Sequence, residues 1–167
     1  NLLPYARLSD VKQAYTFESV EPGEVVDEAL QRCGLRIAEL GFKVDNAVPT
    51  DLPRIRADRS AIVQVLENII DNAINYSEQA RTLAISGRTA DSSVHLAVHD
   101  RGPGIPADEL PRVFDKFFRG RQARTGGSGL GLTIARRIMR DHGGDLEIDS
   151  LAGQGTTVRI SVPTVAS

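Results

Sequence analysis

The chain has 167 residues and a hydrophobic content of 41%, enough for one domain with a substantial core and too little for two comfortable ones. A formal net charge of -2 and a pI near 5.9 give no global argument for nucleic acid or an anionic membrane as partner, so any phosphate-binding function has to come from a local cluster. Cys33 is the only cysteine, which excludes an internal disulfide and a cysteine-rich zinc site and fits a reducing, cytoplasmic setting. No run approaches the roughly 20 apolar residues that span a bilayer, and the opening Asn1-Leu2-Leu3-Pro4 has no basic stretch leading into an apolar one.

Along the chain, Leu2, Leu3, Ala6, Leu8 and Val11 make a loosely periodic stretch that fits the end of a longer helix, with Pro4 in its first turn. Thr16 to Val20 reads as a short strand. Pro22-Gly23 opens a helix with Val25, Val26, Ala29, Leu30, Cys33, Ile37 and Leu40 on one face, ending at Gly41, which puts Cys33 in the core. Phe42 to Val48 alternates as a strand, and Ile55 sits in another short one after Pro53. From Asp58, a candidate N-cap, Ile62, Val65, Leu66, Ile69, Ile70, Ala73 and Ile74 recur at helical spacing down to Tyr76.

Two strands follow, Leu83 to Arg88 and Val94 to Asp100. Residues 101 to 128 hold several glycines, Pro103, Pro106, Pro111 and scattered arginines, with one helical turn after Asp108, and read as a long irregular insert. Leu130 to His142 is a helix with Ile134, Ala135, Ile138 and Met139 inward, stopped by Gly143-Gly144. Leu146 to Asp149 and Thr157 to Val162 close the chain as a pair of strands. This order predicts an α/β two-layer sandwich: one mixed sheet with helices packed on one face.

Three features carry chemistry. In the helix from Asp58, Asn68, Asn72 and Asn75 share one stripe, because steps of four and three residues return to the same side. Asparagine costs roughly half a kcal/mol against alanine inside a helix. The stripe is either a solvated polar face or a set of amides, one of which can complete the shell of a magnesium ion bridging phosphates.

The run Asp100-Arg101-Gly102-Pro103-Gly104-Ile105 is a tight turn after a strand, and the acid at the strand end is placed to accept a hydrogen bond from a base such as the adenine amino group. A dinucleotide fingerprint over Gly102, Gly104 and Ala107 fails on context, since no long helix opens there and no second strand with a ribose-binding acid follows. Gly126-Gly127-Ser128-Gly129-Leu130-Gly131-Leu132 meets a helix start, where free amides and the helix dipole favour a polyphosphate, although the lysine of a P-loop is missing. Arg112, Lys116, Arg119, Arg121 and Arg124, interleaved with Phe114, Phe117 and Phe118, form either a basic lid over phosphates or an ordinary solvated loop.

These segments together resemble the catalytic domains of sensor histidine kinases, within the wider ATPase group that includes gyrase, heat-shock-90 chaperones and mismatch-repair ATPases. The resemblance covers nearly the whole chain: Asn68 to Asn72 matches an asparagine box, Asp100 to Gly104 a first glycine box, Phe114 to Phe118 a phenylalanine box, Gly127 to Gly131 a second glycine box, and Gly153-Gln154-Gly155-Thr156 the final glycine-threonine turn. It implies a Bergerat-type sandwich over residues 16–167 with a mobile ATP lid, preceded over residues 1–15 by the tail of a dimerisation and phosphoacceptor helix.

It implies Mg-ATP as ligand, with Asn72 on the magnesium ion (Mg2+), Asn68 along the phosphates, Asp100 on the adenine amino group, and Tyr76, Gly102, Gly104, Ile105 and Thr156 around the nucleotide. The backbone of Gly127, Ser128, Gly129, Leu130, Gly131 and Leu132 would hold the phosphates, under a lid contributing Phe114, Arg119 and Arg121, with Arg119 joining Asn68 and Asn72 as the catalytic set. Asn75 departs from the family, in which many members have a phosphate-contacting lysine there. In the hydrolysing relatives a glutamate four residues before the magnesium asparagine activates water; here that position is Asn68, which is no general base. Glu67, next in sequence, is turned about 100° away.

The expected reaction is therefore transfer to a histidine on a dimerisation helix absent from this chain, with a response regulator downstream. The resemblance implies a cytoplasmic domain, monomeric alone, whose homodimeric parent is anchored in a bacterial inner membrane. His95, His99 and His142 lack the family's histidine-acid pair on an exposed helix and read as structural. Two alternatives remain: a non-catalytic ATP-binding regulatory module, and a serine kinase of the anti-sigma type.

Overall fold

The computed structural model describes residues 14–77, 80–105, 107–110, 131–151 and 153–165. In chain order its elements are β1 (Glu18–Val20), α1 (Pro22–Arg32), α2 (Gly34–Glu39), β2 (Lys43–Asn46), β3 (Ile55–Ala57), α3 (Arg59–Tyr76), β4 (Thr82–Ala90), β5 (Ser93–Asp100), α4 (Gly131–Asp141), β6 (Asp145–Leu151) and β7 (Gly155–Pro163). The main sheet has the order β2-β4-β5-β7-β6; β2 runs parallel to β4 and the other neighbours are antiparallel, so the sheet is mixed.

Burial alternates along β5 and β7, and the inward residues Val94, Leu96, Val98, Val158, Ile160 and Val162 meet α3 and α4. The helices lie on that one face, while the other face carries His95, Ala97, His99, Thr157 and Arg159. This is the two-layer sandwich expected from the element order. Among the described residues no helix is long and apolar enough to cross a membrane.

The central helix α3 forms as its pattern dictates. The Asp58 side chain caps it by accepting from the Ala61 amide at 3.0 Å, and Ile62, Leu66, Ile69, Ile70 and Ile74 fill the core. Two expectations need correction. The single helix from Pro22 to Gly41 is broken at Cys33, whose ψ of -1 turns the chain so that α2 leaves on a new course. Apolar spacing passes through the break unchanged, so only Gly34, a poor helix residue, marks it. Besides the main sheet, β1 and β3 form a separate antiparallel pair, joined to the chain end by a bridge from Ile55 to Thr164.

The segment before β1 is fastened to both site helices. Tyr15 Oη donates to Asp141 Oδ2 at 2.7 Å, the Thr16 amide donates to Asp58 Oδ2 at 2.9 Å, and the rings of Tyr15 and Phe17 pack edge-on against His142. His142 in turn accepts from the Asp58 amide through Nε2 at 3.1 Å and bonds the Ile138 carbonyl through Nδ1 at 2.8 Å. These bonds tie the start of α3 to the end of α4. The expected helix tail over Leu2 to Val11 lies outside the described residues.

Candidate functional site

Strand β5 alternates in burial to its last residue, so Asp100 ends it on the inward face, 2% exposed. Its Oδ1 accepts the Gly102 amide at 2.9 Å, and Thr156 of β7 stands opposite in register. Burial pushes the carboxyl above the ordinary carboxylate range, while the amides of Gly102 and Thr156 pull it back. The neighbouring His99 adds a smaller pull in the same direction. A buried carboxylate with backbone donors on one side can still accept from an uncharged donor such as an exocyclic amino group.

The turn after Asp100 is seated by close backbone approach. A Cβ on Gly102 would lie 2.1 Å from the Tyr76 carbonyl oxygen, and one on Gly155, whose φ is +95, would lie 2.1 Å from the Asp100 carbonyl oxygen. Gly104 also takes a positive φ of 78°. The β6–β7 hairpin holds the loop: the Gly153 amide donates to the Pro103 carbonyl at 2.6 Å and the Ile105 amide to Ser150 Oγ at 2.7 Å. Ser150 Oγ also lies 2.8 Å from Thr156 Oγ1. Tyr76 and Ile105 form a small buried apolar cluster with the partly buried Leu110 and Ile148, and the Gly102 turn that follows Asp100 packs against the Tyr76 carbonyl.

The asparagine stripe runs back along α3 from Tyr76. Asn68 Nδ2 donates to the Gly131 carbonyl oxygen at 3.4 Å, placing the amide against α4. Asn72, one turn on, is half-buried and makes no side-chain hydrogen bond among the described residues. Asn75 gives its carbonyl oxygen to Arg36 Nη2 at 2.8 Å, and the same guanidinium holds Asp71 Oδ1 at 2.5 Å. Leu132 turns its side chain into the main core. No group of three or more His, Cys, Asp and Glu suited to a metal occurs among the described residues. The Asn72 amide oxygen is a hard neutral ligand of the kind a magnesium ion could accept.

Other side chains fall where the sequence placed them or outside the described residues. Glu67 faces α1, its Oε1 3.9 Å from Arg32 Nη1, away from Asn68. Both ring nitrogens of His142 are engaged, His99 Nδ1 pairs with Thr157 Oγ1 at 2.8 Å, and His95 Nδ1 is buried on the sheet. Phe114, Arg119, Arg121, Gly127, Ser128, Gly129 and Leu130 lie outside the described residues. Two contributors escaped the sequence reading. Ser150 is one hydroxyl in an alternating strand and belongs to no motif; Arg36 is one of two arginines on α1 and α2, with nothing in its spacing to set it apart. Contacts between residues more than 30 positions apart give both their roles, and local spacing does not show such contacts.

Residues 57–166 match the family model described as the histidine kinase-, DNA gyrase B-, and HSP90-like ATPase. The sensor-like histidine kinase SenX3 of Mycobacterium tuberculosis is 34% identical over 167 residues, covering 98% of this chain and 40% of its own. The sensor histidine kinase WalK of Bacillus subtilis is 41% identical over 114 residues, covering 65% of this chain and 19% of its own. This chain thus spans well under half of these relatives.

Among solved structures, full-length ShkA in complex with AMPPNP superposes with a TM-score of 0.85 at 28% identity, over 99% of this chain and 35% of that one. The mycobacterial sensor histidine kinase MprB gives 0.77 at 29% identity, over 91% of this chain and 100% of that one. From the matched family model, the relatives and the shared fold, the chain belongs to the histidine kinase-, DNA gyrase B- and HSP90-like ATPase family, on the branch of the histidine kinase catalytic domains.

Proposed function

We propose that this chain is the Mg-ATP-binding catalytic domain of a two-component sensor histidine kinase, and that it passes the γ-phosphate to a histidine on a dimerisation helix of its parent protein. The observation that carries the reading is the buried Asp100 carboxylate, whose Gly102 turn packs against the Tyr76 carbonyl at the end of α3, while Asn68 of the same helix bonds to Gly131 of α4. Asp100 accepts a hydrogen bond from the adenine amino group, Tyr76 and Ile105 flank the base, and the amides leading into α4 receive the phosphates with Asn68. Asn72 offers its oxygen to the magnesium ion, which neutralises phosphate charge when bound.

The lid residues Phe114, Arg119 and Arg121 complete the phosphate cover in this reading, together with the amides from Gly127 to Leu130. Transfer is favoured over rapid hydrolysis because Asn68 stands where a general base would be needed and Glu67 points to Arg32. Catalysis then rests on positioning and charge stabilisation. The partners are the histidine-bearing dimerisation domain of the same protein and, downstream, a response regulator; the parent is a homodimer anchored in the inner membrane with this domain in the cytoplasm.

Incubating the chain with γ-labelled ATP, alone and with a separately produced dimerisation domain of its parent, tests this. The label is expected on the added domain only. Label on His95, His99 or His142 of the chain itself would overturn the reading, as would a folded, ATP-bound chain that never labels the added domain.

A further inference from the structure

The stripe of amides has an acidic neighbour. On α3 Asp71 lies about 40° to one side of Asn75 and Asn72 about 60° to the other, at about 100° per residue. A carboxylate there would repel a polyphosphate laid along Asn68 and Asn72. The structure supplies its counter-charge from another element: Arg36 of α2 contacts Asp71 Oδ1 at 2.5 Å and Asn75 Oδ1 at 2.8 Å through its two terminal nitrogens. The break at Cys33 sets the course of α2, and with it the reach of Arg36 to α3.

A guanidinium only donates, so the Asn75 atom facing it is the carbonyl oxygen and the amide orientation is fixed by the bond. The NH2 branch is therefore not the atom held by Arg36, and it belongs to a residue that shares its stripe with Asn72 and Asn68. We propose that Arg36 is a positioning residue of the phosphate site: it cancels the charge of Asp71 and holds Asn75 as a hydrogen-bond donor toward the nucleotide phosphates.

The inference rests on the ATP-binding reading above and deepens it, since it explains how a site without a lysine at position 75 makes up part of the lost charge compensation. The work is divided between two residues. Arg36 neutralises what would repel the phosphates, and Asn75 presents two N–H bonds where a lysine would present three. The pair is half-exposed, with side chains 41% and 47% accessible, so its effect on ligand binding is moderate and weakens with salt.

The test is calorimetric titration of Mg-ATP, and separately adenosine, into the chain and its Arg36→Ala, Asp71→Asn and Arg36→Ala/Asp71→Asn variants, with circular dichroism checking the fold. Arg36→Ala should weaken Mg-ATP by roughly three- to tenfold at low salt and leave adenosine unchanged. Asp71→Asn in the Arg36→Ala background should recover most of the loss, because the uncompensated acid has gone. A merely structural role for Arg36 would weaken both ligands alike and would not be rescued; that outcome overturns the proposal. So does a folded Arg36→Ala chain that binds Mg-ATP as tightly as its parent. If the parent chain takes up no Mg-ATP, the ATP-binding reading itself fails and the inference falls with it.

Discussion

Replacing Gly102 by alanine tests how the site is built into the fold. The added methyl would stand 2.1 Å from the Tyr76 carbonyl oxygen and 3.0 Å from Ser77 Cα. A carbon-oxygen contact is comfortable at about 3.3 Å, so the loop and the helix end must part by about 1.2 Å. Neither side yields easily. Tyr76 is held in the buried cluster with Ile105, and the loop is bonded to the hairpin at Gly153 and Ser150. Overpacking of this kind costs about 1–3 kcal/mol, and for a domain of this size each kcal/mol moves Tm by about 2–4 °C, so a fall of about 2–12 °C is expected.

The same displacement pulls the Gly102 amide from Asp100 Oδ1, so Mg-ATP binding should weaken by more than the stability loss alone would cause. Differential scanning fluorimetry and calorimetric titration read the two effects. Gly23→Ala is the control: nothing lies within 4 Å of its added carbon, and the change should be neutral or slightly stabilising in the first turn of α1. A Gly102→Ala chain that melts and binds like its parent would refute the proposed seating of the loop on α3.

Asp58→Ala removes the α3 cap and the anchor for the Thr16 amide together, and should cost about 1–2 kcal/mol in denaturant unfolding. Burial holds the His142 imidazole below its ordinary pKa, so the unfolded chain takes up its proton first as pH falls through about 6.5. Stability should therefore drop on acidification from pH 7.5 to 5.5, with a shallower slope in His142→Gln; equal slopes would remove His142 as the cause. Burial, with Asp71 and Glu67 nearby, pushes the Cys33 thiol up to about 11, so alkylation of the folded chain at neutral pH should be slow and should quicken in denaturant.

The sequence is most informative where the determinant is local. Helix α3 has an acid cap, an uninterrupted apolar face and a polar stripe, all within one helix, and its observed bounds agree with the expected ones. Strand β5 alternates so regularly that the pattern of Val94, Leu96 and Val98 alone carries Asp100 to its inward end. The break at Cys33 was hidden because the apolar phase of α1 carries on into α2. The β1–β3 pair joins two strands of three residues each across a long gap in sequence, with no turn signal between them. Likewise the bonds of Ser150 to Ile105, Arg36 to Asn75 and Tyr15 to Asp141 join residues 45, 39 and 126 positions apart, beyond any periodicity. Glycine positions sit in between: the sequence marks where the backbone must turn, and only the packing shows what it turns against.

The central claim is that Asp100 anchors an adenine nucleotide, and calorimetric titration of Mg-ATP into the chain and its Asp100→Asn variant tests it most directly. Asparagine keeps the size of the side chain but has one oxygen, so its NH2 must oppose either the Gly102 amide or the adenine amino group. Saturable binding by the parent, lost or greatly weakened in a variant that remains folded, is the predicted result. Equal binding by both chains would contradict the assigned site, and no binding by the folded parent would contradict the nucleotide-binding account itself.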